Sequence, residues 1–449
     1  MKKHLLLIII CILPSLSFAQ LLSGKHKVGF KIIQAYDLSR PFLPQQQAGI
    51  LKETPKEFKN KGRQIQISLW YPAKKTKGIQ PINFEYYIHQ LSQITAASGL
   101  NNSTKAQGWK LFLKDTKDLG GTKNTLERLK KVGDIKTQAY LNPPFQNGKY
   151  PLVLFPAIYP TTQISIMAEY LAGQGYIVAG IPNLGITSTA PEINAAGLNA
   201  MAQDVLFALA QLSTLANINQ DKVAVMGNAY NSTVAAMTLL MNPNIDALIS
   251  LEGGLLSDYE QQILKQHLLY EVATFDRPLL AIYAPHPSIN PKKINHFKYA
   301  ERHFVHFPQM KEYHFLSYGS LEQQIPQIIG KTPKNVQQGF EWGCRYVHQF
   351  LDAKLKNEAK AHQFLQNDQK NGEGVWQFHM QPGLPAPPSM SSLKHTFTTK
   401  GMKGIERLYQ SMRQKDTAPF SMKYFDELFK WLGWASRDPK LTFRYKLAD

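Results

Sequence analysis

The sequence predicts an α/β protein in which helices cover both faces of a mostly parallel sheet. Short continuous apolar segments, such as PLVLFPA (151–157) and KVAVMG (222–227), are typical of strands buried on both faces. They alternate with segments in which apolar residues recur at helical spacing, as in Asn194–Ala216. With 449 residues, 43% of them hydrophobic, the chain is long enough for one large domain with additions.

The sheet is expected to begin with two half-buried strands. KVGFKII (27–33) and RQIQISLWYPA (63–73) alternate apolar and polar residues, which is the pattern of antiparallel neighbours with one face in the core. Residues 38–62 form a loop rich in Pro, Gln and Lys. The lysine-rich segment 82–136 has helical spacing and no strand signal, so we expect a helical insertion there.

From Tyr150 onward the sequence alternates between predicted strands and predicted helices. The expected strands cover residues 150–160, 175–182, 222–227, 245–254, 277–285 and 302–308, and the expected helices cover 164–174, 194–216, 233–241 and 342–362.

The N-terminus, MKKHLLLIIICILPSLSFAQ, is typical of a signal peptide. Lys2 and Lys3 precede an apolar run from Leu5 to Leu13, and Ser17-Phe18-Ala19 forms a small-residue cleavage site. We therefore expect residues 1–19 to be removed and the protein to be exported, as a periplasmic or secreted protein.

The main domain is expected to cover residues 20–378. The segment 379–399, which contains HMQPGLPAPPSMSS, is interpreted as a Pro/Ser-rich linker. Beyond it, residues 400–449 form a helical appendage with helices at 400–413 and 421–434. Packing of this appendage on the main body is favoured over the binding of a partner.

The chain is strongly basic, with a net charge of +19 that falls to +17 when Lys2 and Lys3 are removed. Such a charge favours anionic surfaces as partners, but no nucleic-acid motif is present. The sequence predicts no cofactor and no metal site. His303 and His306 are not expected to share a metal ion, because they are three residues apart on a strand and point to opposite faces. Cys344 is the one cysteine outside the signal peptide and is expected to be a buried thiol.

The segment DKVAVMGNAYNSTVAAM (221–237) has the pattern of a nucleophile elbow, in which a strand turns sharply into a helix after a glycine. Other segments occur in a matching order: ISLWYPA, PLVLFPAIYP, MAEYLAGQGYIVAGIPNLG, ALISLEGG, RPLLAIY and YHF. Over residues 26–350 the chain resembles the α/β-hydrolase family, in the branch of platelet-activating-factor acetylhydrolase and dienelactone-hydrolase-like bacterial proteins. The resemblance implies an α/β-hydrolase fold and the ancestry of a serine esterase.

The resemblance also implies the positions of the catalytic groups. Ala229 stands at the nucleophile position, where a methyl group excludes an acyl-enzyme. Glu252 and His314 stand at the acid and base positions, and the backbone N–H groups of Ile158 and Tyr230 stand at the oxyanion-hole positions.

Two glycines of the elbow pattern are replaced by Asn231 and Ser232, which add side-chain atoms at a crowded helix–strand crossing. Ser232 is one turn into the helix, so a packing or capping role is favoured over a role as replacement nucleophile.

Three functions stay open at this point. In the first, the protein is an inactive hydrolase that binds a lipid, an ester or a protein partner. In the second, it is an active carboxylic-ester hydrolase in which His314 and Glu252 activate water without a serine. In the third, the domain displays the basic helical insertion and the C-terminal helices. The sequence identifies neither the ligand nor the oligomeric state.

Overall fold

A mixed sheet positions every element of the candidate site. The computed structural model describes residues 24–41, 62–75, 78–94, 100–187, 191–272, 275–366, 374–386, 388, 390–414 and 430. Within these residues the sheet has ten strands in the order β10-β9-β8-β7-β6-β4-β5-β2-β1-β3.

The strands are β1 (Lys27–Pro41), β2 (Gly62–Ala73), β3 (Ala139–Leu141), β4 (Tyr150–Ala157), β5 (Ile177–Pro182), β6 (Ile218–Asn228), β7 (Ala247–Leu251), β8 (Leu279–Tyr283), β9 (Arg302–His306) and β10 (Gln377–Gln381). The helices are α1 (Phe84–Gln90), α2 (Asn102–Asp118), α3 (Leu126–Gly133), α4 (Pro160–Gln163), α5 (Ser165–Gly173), α6 (Ala195–Leu212), α7 (Asn231–Met241), α8 (Asp258–Lys265), α9 (Ser317–Leu321), α10 (Val336–Leu355), α11 (Ala359–Gln366) and α12 (Met390–Gln414).

The central strands β5, β4, β6, β7, β8 and β9 are parallel to one another. Their side chains alternate between two hydrophobic cores, so that Val153 and Phe155 of β4 pack in one core and Leu152 and Leu154 in the other. Helix α10 contributes to the first core, and α6 and α7 contribute to the second. The predicted fold class, a mostly parallel sheet with helices on both faces, is confirmed.

Strand β2 differs from the half-buried strand that its alternating pattern predicts. All twelve of its residues are buried. β2 pairs with β1 on one side and β5 on the other, so it is an internal strand of the sheet. Its polar residues are accommodated by partners: Arg63 pairs with Asp204 of α6, and Gln66 accepts a hydrogen bond from Gln34 of β1. Strand β1 extends to Pro41, into the segment expected to be a loop.

Three helices, α1, α2 and α3, occupy the lysine-rich segment 82–136. A buried polar network fixes them to the main body. The Tyr87 hydroxyl of α1 donates a hydrogen bond of 2.7 Å to Glu169 of α5, and the indole N–H of Trp70 donates to the Tyr87 oxygen at 2.9 Å. The backbone N–H of Gln138 donates to the other Glu169 oxygen at 2.7 Å.

The region expected to be a linker, 379–399, contains regular structure. β10 pairs antiparallel with β9, with Phe378 opposite Val305, and α12 already begins at Met390. The buried side chains of Trp376 and Phe378 anchor β10, which ends at Gln381, immediately before the first proline of the stretch. Gly401 interrupts α12 with a φ of 59°. The signal peptide, and the helix expected at 421–434 except for residue 430, lie outside the described residues.

In the described part of the chain, no helix combines the length and the apolar character that a membrane crossing requires. Cys344 on α10 is fully buried, and burial raises the pKa of its thiol. An inert structural thiol is the role that these surroundings support.

Candidate functional site

A sharp turn joins β6 to α7 at the carboxyl edge of the parallel strands. β6 ends at Asn228 and α7 begins at Asn231, which leaves Ala229 and Tyr230 to reverse the chain. Ala229 has a φ of 45°, a conformation that side-chain-bearing residues seldom adopt. A Cβ atom on Gly227 would lie 2.1 Å from the backbone carbonyl oxygen of Asn231, so the turn requires glycine there. This is the geometry of a nucleophile elbow with a methyl group at its tip.

Asn231 and Ser232, at the positions where the elbow pattern predicts glycine, stabilise this turn. The Ser232 hydroxyl, which is fully buried, donates to the carbonyl oxygens of Gly227 at 2.9 Å and Leu251 at 3.3 Å. The Asn231 amide donates to the Asn228 side chain at 3.2 Å, and its oxygen accepts a hydrogen bond from Asn183 after β5. Ser232 thus holds α7 against β6 and β7, in line with a packing role.

A cavity of about 60 Å³ lies beside the elbow. Buried residues such as Ser257 and exposed residues such as His286 both line it, so it runs from the surface into the interior. The complete lining comprises Ala229, Glu252, Gly254, Ser257, Glu260, Ala284, His286, Ser288, Ile289 and Glu312. This volume admits a few water molecules or one small chemical group.

The cavity, which we call the acidic cavity, contains Glu252 in its buried part. Glu252 follows β7 with a φ of 59°, and the residue is 5% exposed. Neither of its carboxyl oxygens forms a hydrogen bond with good geometry. Burial and, secondly, the nearby Glu312 raise the pKa of Glu252, although the Tyr313 backbone N–H and the Asn228 side chain favour the charged form. The structure therefore places two expected positions, Ala229 and Glu252, in one wall.

Sequence reasoning missed two further carboxylates in the same wall, Glu260 and Glu312. Glu260 is in the first turn of α8, where its backbone N–H donates to the capping hydroxyl of Ser257 at 3.3 Å. Burial and then Glu312 raise the pKa of Glu260. The pattern Ser-Asp-Tyr-Glu could have indicated the helix start at 257–260, but nothing in the sequence indicated that its glutamate faces the elbow.

The structure does not bring His314 to the acidic cavity. The ring is 1% exposed, it does not line the cavity, and its Nε2 lies 3.7 Å from Oε1 of Glu322. Burial opposes ionisation of Glu322, but contacts with His314 and Thr332 lower its pKa overall. The reason for this placement is local: Tyr313, with a φ of 65°, reverses the chain so that Glu312 reaches the cavity while His314 packs inward. The expected pair of Glu252 and His314 is replaced by a pair of His314 and Glu322.

Ile158 and Tyr230 lie at the same edge of the sheet, because they follow the neighbouring parallel strands β4 and β6. Neither lines the acidic cavity. The Tyr230 hydroxyl is buried without a hydrogen-bond partner; burial, with smaller effects of Tyr313 and Tyr159, raises its pKa. Aromatic side chains thus occupy the region next to the elbow on the β4 side.

The described residues contain no group of three His, Cys, Asp or Glu side chains arranged to hold a metal ion. His303 and His306 of β9 have separate partners: His303 contacts Glu301 at 2.8 Å, and His306 stacks on Tyr283.

Comparison with known proteins supports the fold. No protein-family model matches the chain, and no curated protein matches it. Among solved structures, the chain is similar to a ferulic acid esterase from Streptomyces cinnamoneus, with a TM-score of 0.52 and 16% sequence identity. The match covers 78% of this chain and 96% of the esterase. Together with the sheet order, this likeness shows that the chain has an α/β-hydrolase fold.

Proposed function

We propose that this protein is an exported α/β-hydrolase-fold protein that binds a ligand at the elbow and does not hydrolyse esters through it. The observation that carries the proposal is Ala229, which keeps the left-handed backbone of a nucleophile elbow and lacks the oxygen. A methyl group has no lone pair with which to attack a carbonyl carbon, so no acyl-enzyme forms there.

The remaining groups do not compensate for the missing nucleophile. The Ser232 hydroxyl donates to two backbone carbonyls and is fully buried, so it has no route to a substrate. His314 is directed at Glu322 and does not line the acidic cavity. Removing the nucleophile from a triad leaves a residual acceleration on the order of 10³–10⁴ over water, and ester hydrolysis at that rate is negligible.

The alternative of a serine-free hydrolase requires Glu252 and His314 to share one water molecule. In the structure, the two residues have different neighbours: Glu252 is beside Glu312 in the cavity, and His314 is beside Glu322 in the core. A general base must be within hydrogen-bond reach of the water that it activates. The geometry therefore favours binding over this alternative.

The ligand proposed is a small ester, a lipid or a segment of a partner protein that inserts a small group into the acidic cavity. The exposed His286 and Ser288 form part of its opening. We further propose that export places the protein in the periplasm or outside the cell, where its positive charge favours an anionic surface.

The decisive test uses a fluorophosphonate probe and a short acyl ester with the purified protein. We expect the wild type to show neither stoichiometric labelling nor a burst of product. Labelling of any serine together with ester turnover would refute the proposed function.

The variant Ala229→Ser tests the position of the base. It restores a hydroxyl but no imidazole beside it, so we expect turnover to stay at the wild-type level. A large gain would show that a histidine reaches residue 229. Comparing His314→Ala with His286→Ala in the Ala229→Ser background would then identify which one.

A further inference from the structure

Three carboxylates face one small cavity in a protein that is otherwise strongly basic. Glu252, Glu260 and Glu312 all line the acidic cavity, and the whole chain has a net charge of +19. Among the described residues, none of the three forms an ion pair with a lysine, arginine or histidine. The cavity therefore brings together three acidic side chains that no basic side chain of the described residues pairs with.

Two basic side chains at or next to the cavity have other partners. Lys293 lies 2.5 Å from Asp258, which is on α8 but does not line the cavity. His286 lines the cavity, and its Nδ1 lies 2.7 Å from the Ser288 hydroxyl. Neither of these two side chains forms an ion pair with the three carboxyl groups.

The donors next to Glu252, the Tyr313 N–H and the Asn228 side chain, do not form hydrogen bonds of good geometry with its two buried oxygens. A buried polar group left in this state is destabilising. A group that enters the cavity and donates N–H bonds to Glu252 removes this destabilisation. The acidic cluster and the unpartnered Glu252 are two separate observations, and both indicate a ligand that is positively charged and donates hydrogen bonds.

We propose that the acidic cavity binds a protonated primary amine, with its N–H groups directed at Glu252 and its charge balanced by Glu260 and Glu312. This inference rests on the proposed binding function and names the chemistry of its ligand. An ammonium group has three donors in a compact volume, which suits a cavity of about 60 Å³. A quaternary ammonium group has no N–H and leaves Glu252 unsatisfied. A divalent metal ion is not favoured, because the described carboxylates are not arranged as a metal site.

The test compares ligands of similar size and different charge or donor capacity. The full mature chain is titrated with n-butylammonium chloride, n-butanol and tetramethylammonium chloride, and ligand-observed NMR measures each dissociation constant. We expect butylammonium to bind at least about tenfold more tightly than either of the others, since a hydrogen bond to a charged group contributes about 1.5–3 kcal/mol. Calcium chloride at equal ionic strength should not displace the amine.

Glu252→Gln is the matching variant, because it removes the charge and retains the shape. We expect it to weaken butylammonium binding roughly ten- to a hundredfold. Glu127→Gln, which removes an exposed carboxylate on α3, serves as the control and should bind like the wild type. If Glu252→Gln fails to fold, Glu260→Gln at the half-buried wall of the cavity should still cause a several-fold loss.

The inference would be overturned by absence of amine binding, by displacement of the amine by calcium, or by butanol or tetramethylammonium binding as tightly as butylammonium or more tightly. Tight binding of butanol would still be compatible with a binding function for a neutral ligand. The fluorophosphonate and ester assays detect failure of the proposed function separately, because they report hydrolysis and not affinity.

Discussion

Glu169 allows a quantitative prediction of how stability depends on pH. Burial raises the pKa of this carboxyl from an ordinary value of 4.5 to about 7, although the hydrogen bonds from Tyr87 and Gln138 favour the charged form. The folded protein therefore retains a proton on Glu169 at pH values where the unfolded chain has released it. Stability consequently falls as the pH rises from about 4.5 to about 7.

The size of the effect follows from the two pKa values. Each pKa unit corresponds to about 1.4 kcal/mol, so Glu169 should reduce the free energy of unfolding by about 3 kcal/mol once the pH exceeds 7. The variant Glu169→Gln lacks this titration and retains most of the shape. Relative to the wild type, it should gain about 2–3 kcal/mol between pH 5 and pH 8. Its stability at pH 5 should be lower by about 1 kcal/mol, since an amide cannot accept both hydrogen bonds.

Urea denaturation of both proteins at pH 5, 6, 7 and 8 measures this difference directly. Glu127→Gln, at an exposed position on α3, is the control and should follow the wild type at every pH. A change below about 1 kcal/mol in the difference between Glu169→Gln and wild type would refute the reasoning. It would mean that Glu169 ionises in the folded protein at its ordinary pKa.

Two further predictions concern the fold around the site. Arg63 and Asp204 form a buried bidentate ion pair at 2.6 and 2.7 Å. In urea denaturation, Arg63→Met and Asp204→Leu should each lower the free energy of unfolding by about 3 kcal/mol or more, because each leaves the other charge buried and unpaired. The double variant should lose clearly less than the sum of the two, and additive losses would contradict this. Ala229→Gly should leave stability unchanged or raise it by up to about 1 kcal/mol, since glycine relieves the positive φ. Ala200→Gly within α6 should lose about 1 kcal/mol, and equal losses for both variants would argue against strain at the elbow.

The sequence is sufficient to predict the parallel core and the elbow because local patterns specify both. Continuous apolar runs predicted β4, β6 and β7, and the glycine before the turn identified the place of Ala229. The acid position at Glu252 was implied by the family resemblance, and the structure places Glu252 and Ala229 in one cavity wall. The two residues meet because each follows a parallel strand, and the carboxyl ends of parallel strands lie at the same sheet edge.

The remainder of the site depends on backbone conformations that the sequence does not specify. His314 was expected beside Glu252, but the positive φ at Tyr313 turns the ring toward Glu322 and presents Glu312 to the cavity. No residue-type signal predicts this, since Tyr is seldom found with a positive φ. Strand β2 was predicted to be half buried from its alternating pattern, but all of it is buried. The pattern could not show this, because its glutamines are buried with the help of a side-chain partner on β1.

The distribution of backbone strain gives an independent reason to place function at this cavity. Of the seven described non-glycine residues with a positive φ, two line it, Ala229 and Glu252. A left-handed conformation costs roughly 1–2 kcal/mol for such a residue, and the surrounding structure must impose it. At Ala229, this strain keeps a methyl group at the tip of the turn, where it performs no chemistry. At Glu252, it holds a carboxylate in a buried position where neither oxygen is satisfied. Glycine at either position would relieve the backbone, but at position 252 it would remove the buried carboxylate that a ligand can satisfy. Of the two strained residues of the cavity, Glu252 is therefore the one whose backbone conformation serves the ligand binding that we propose.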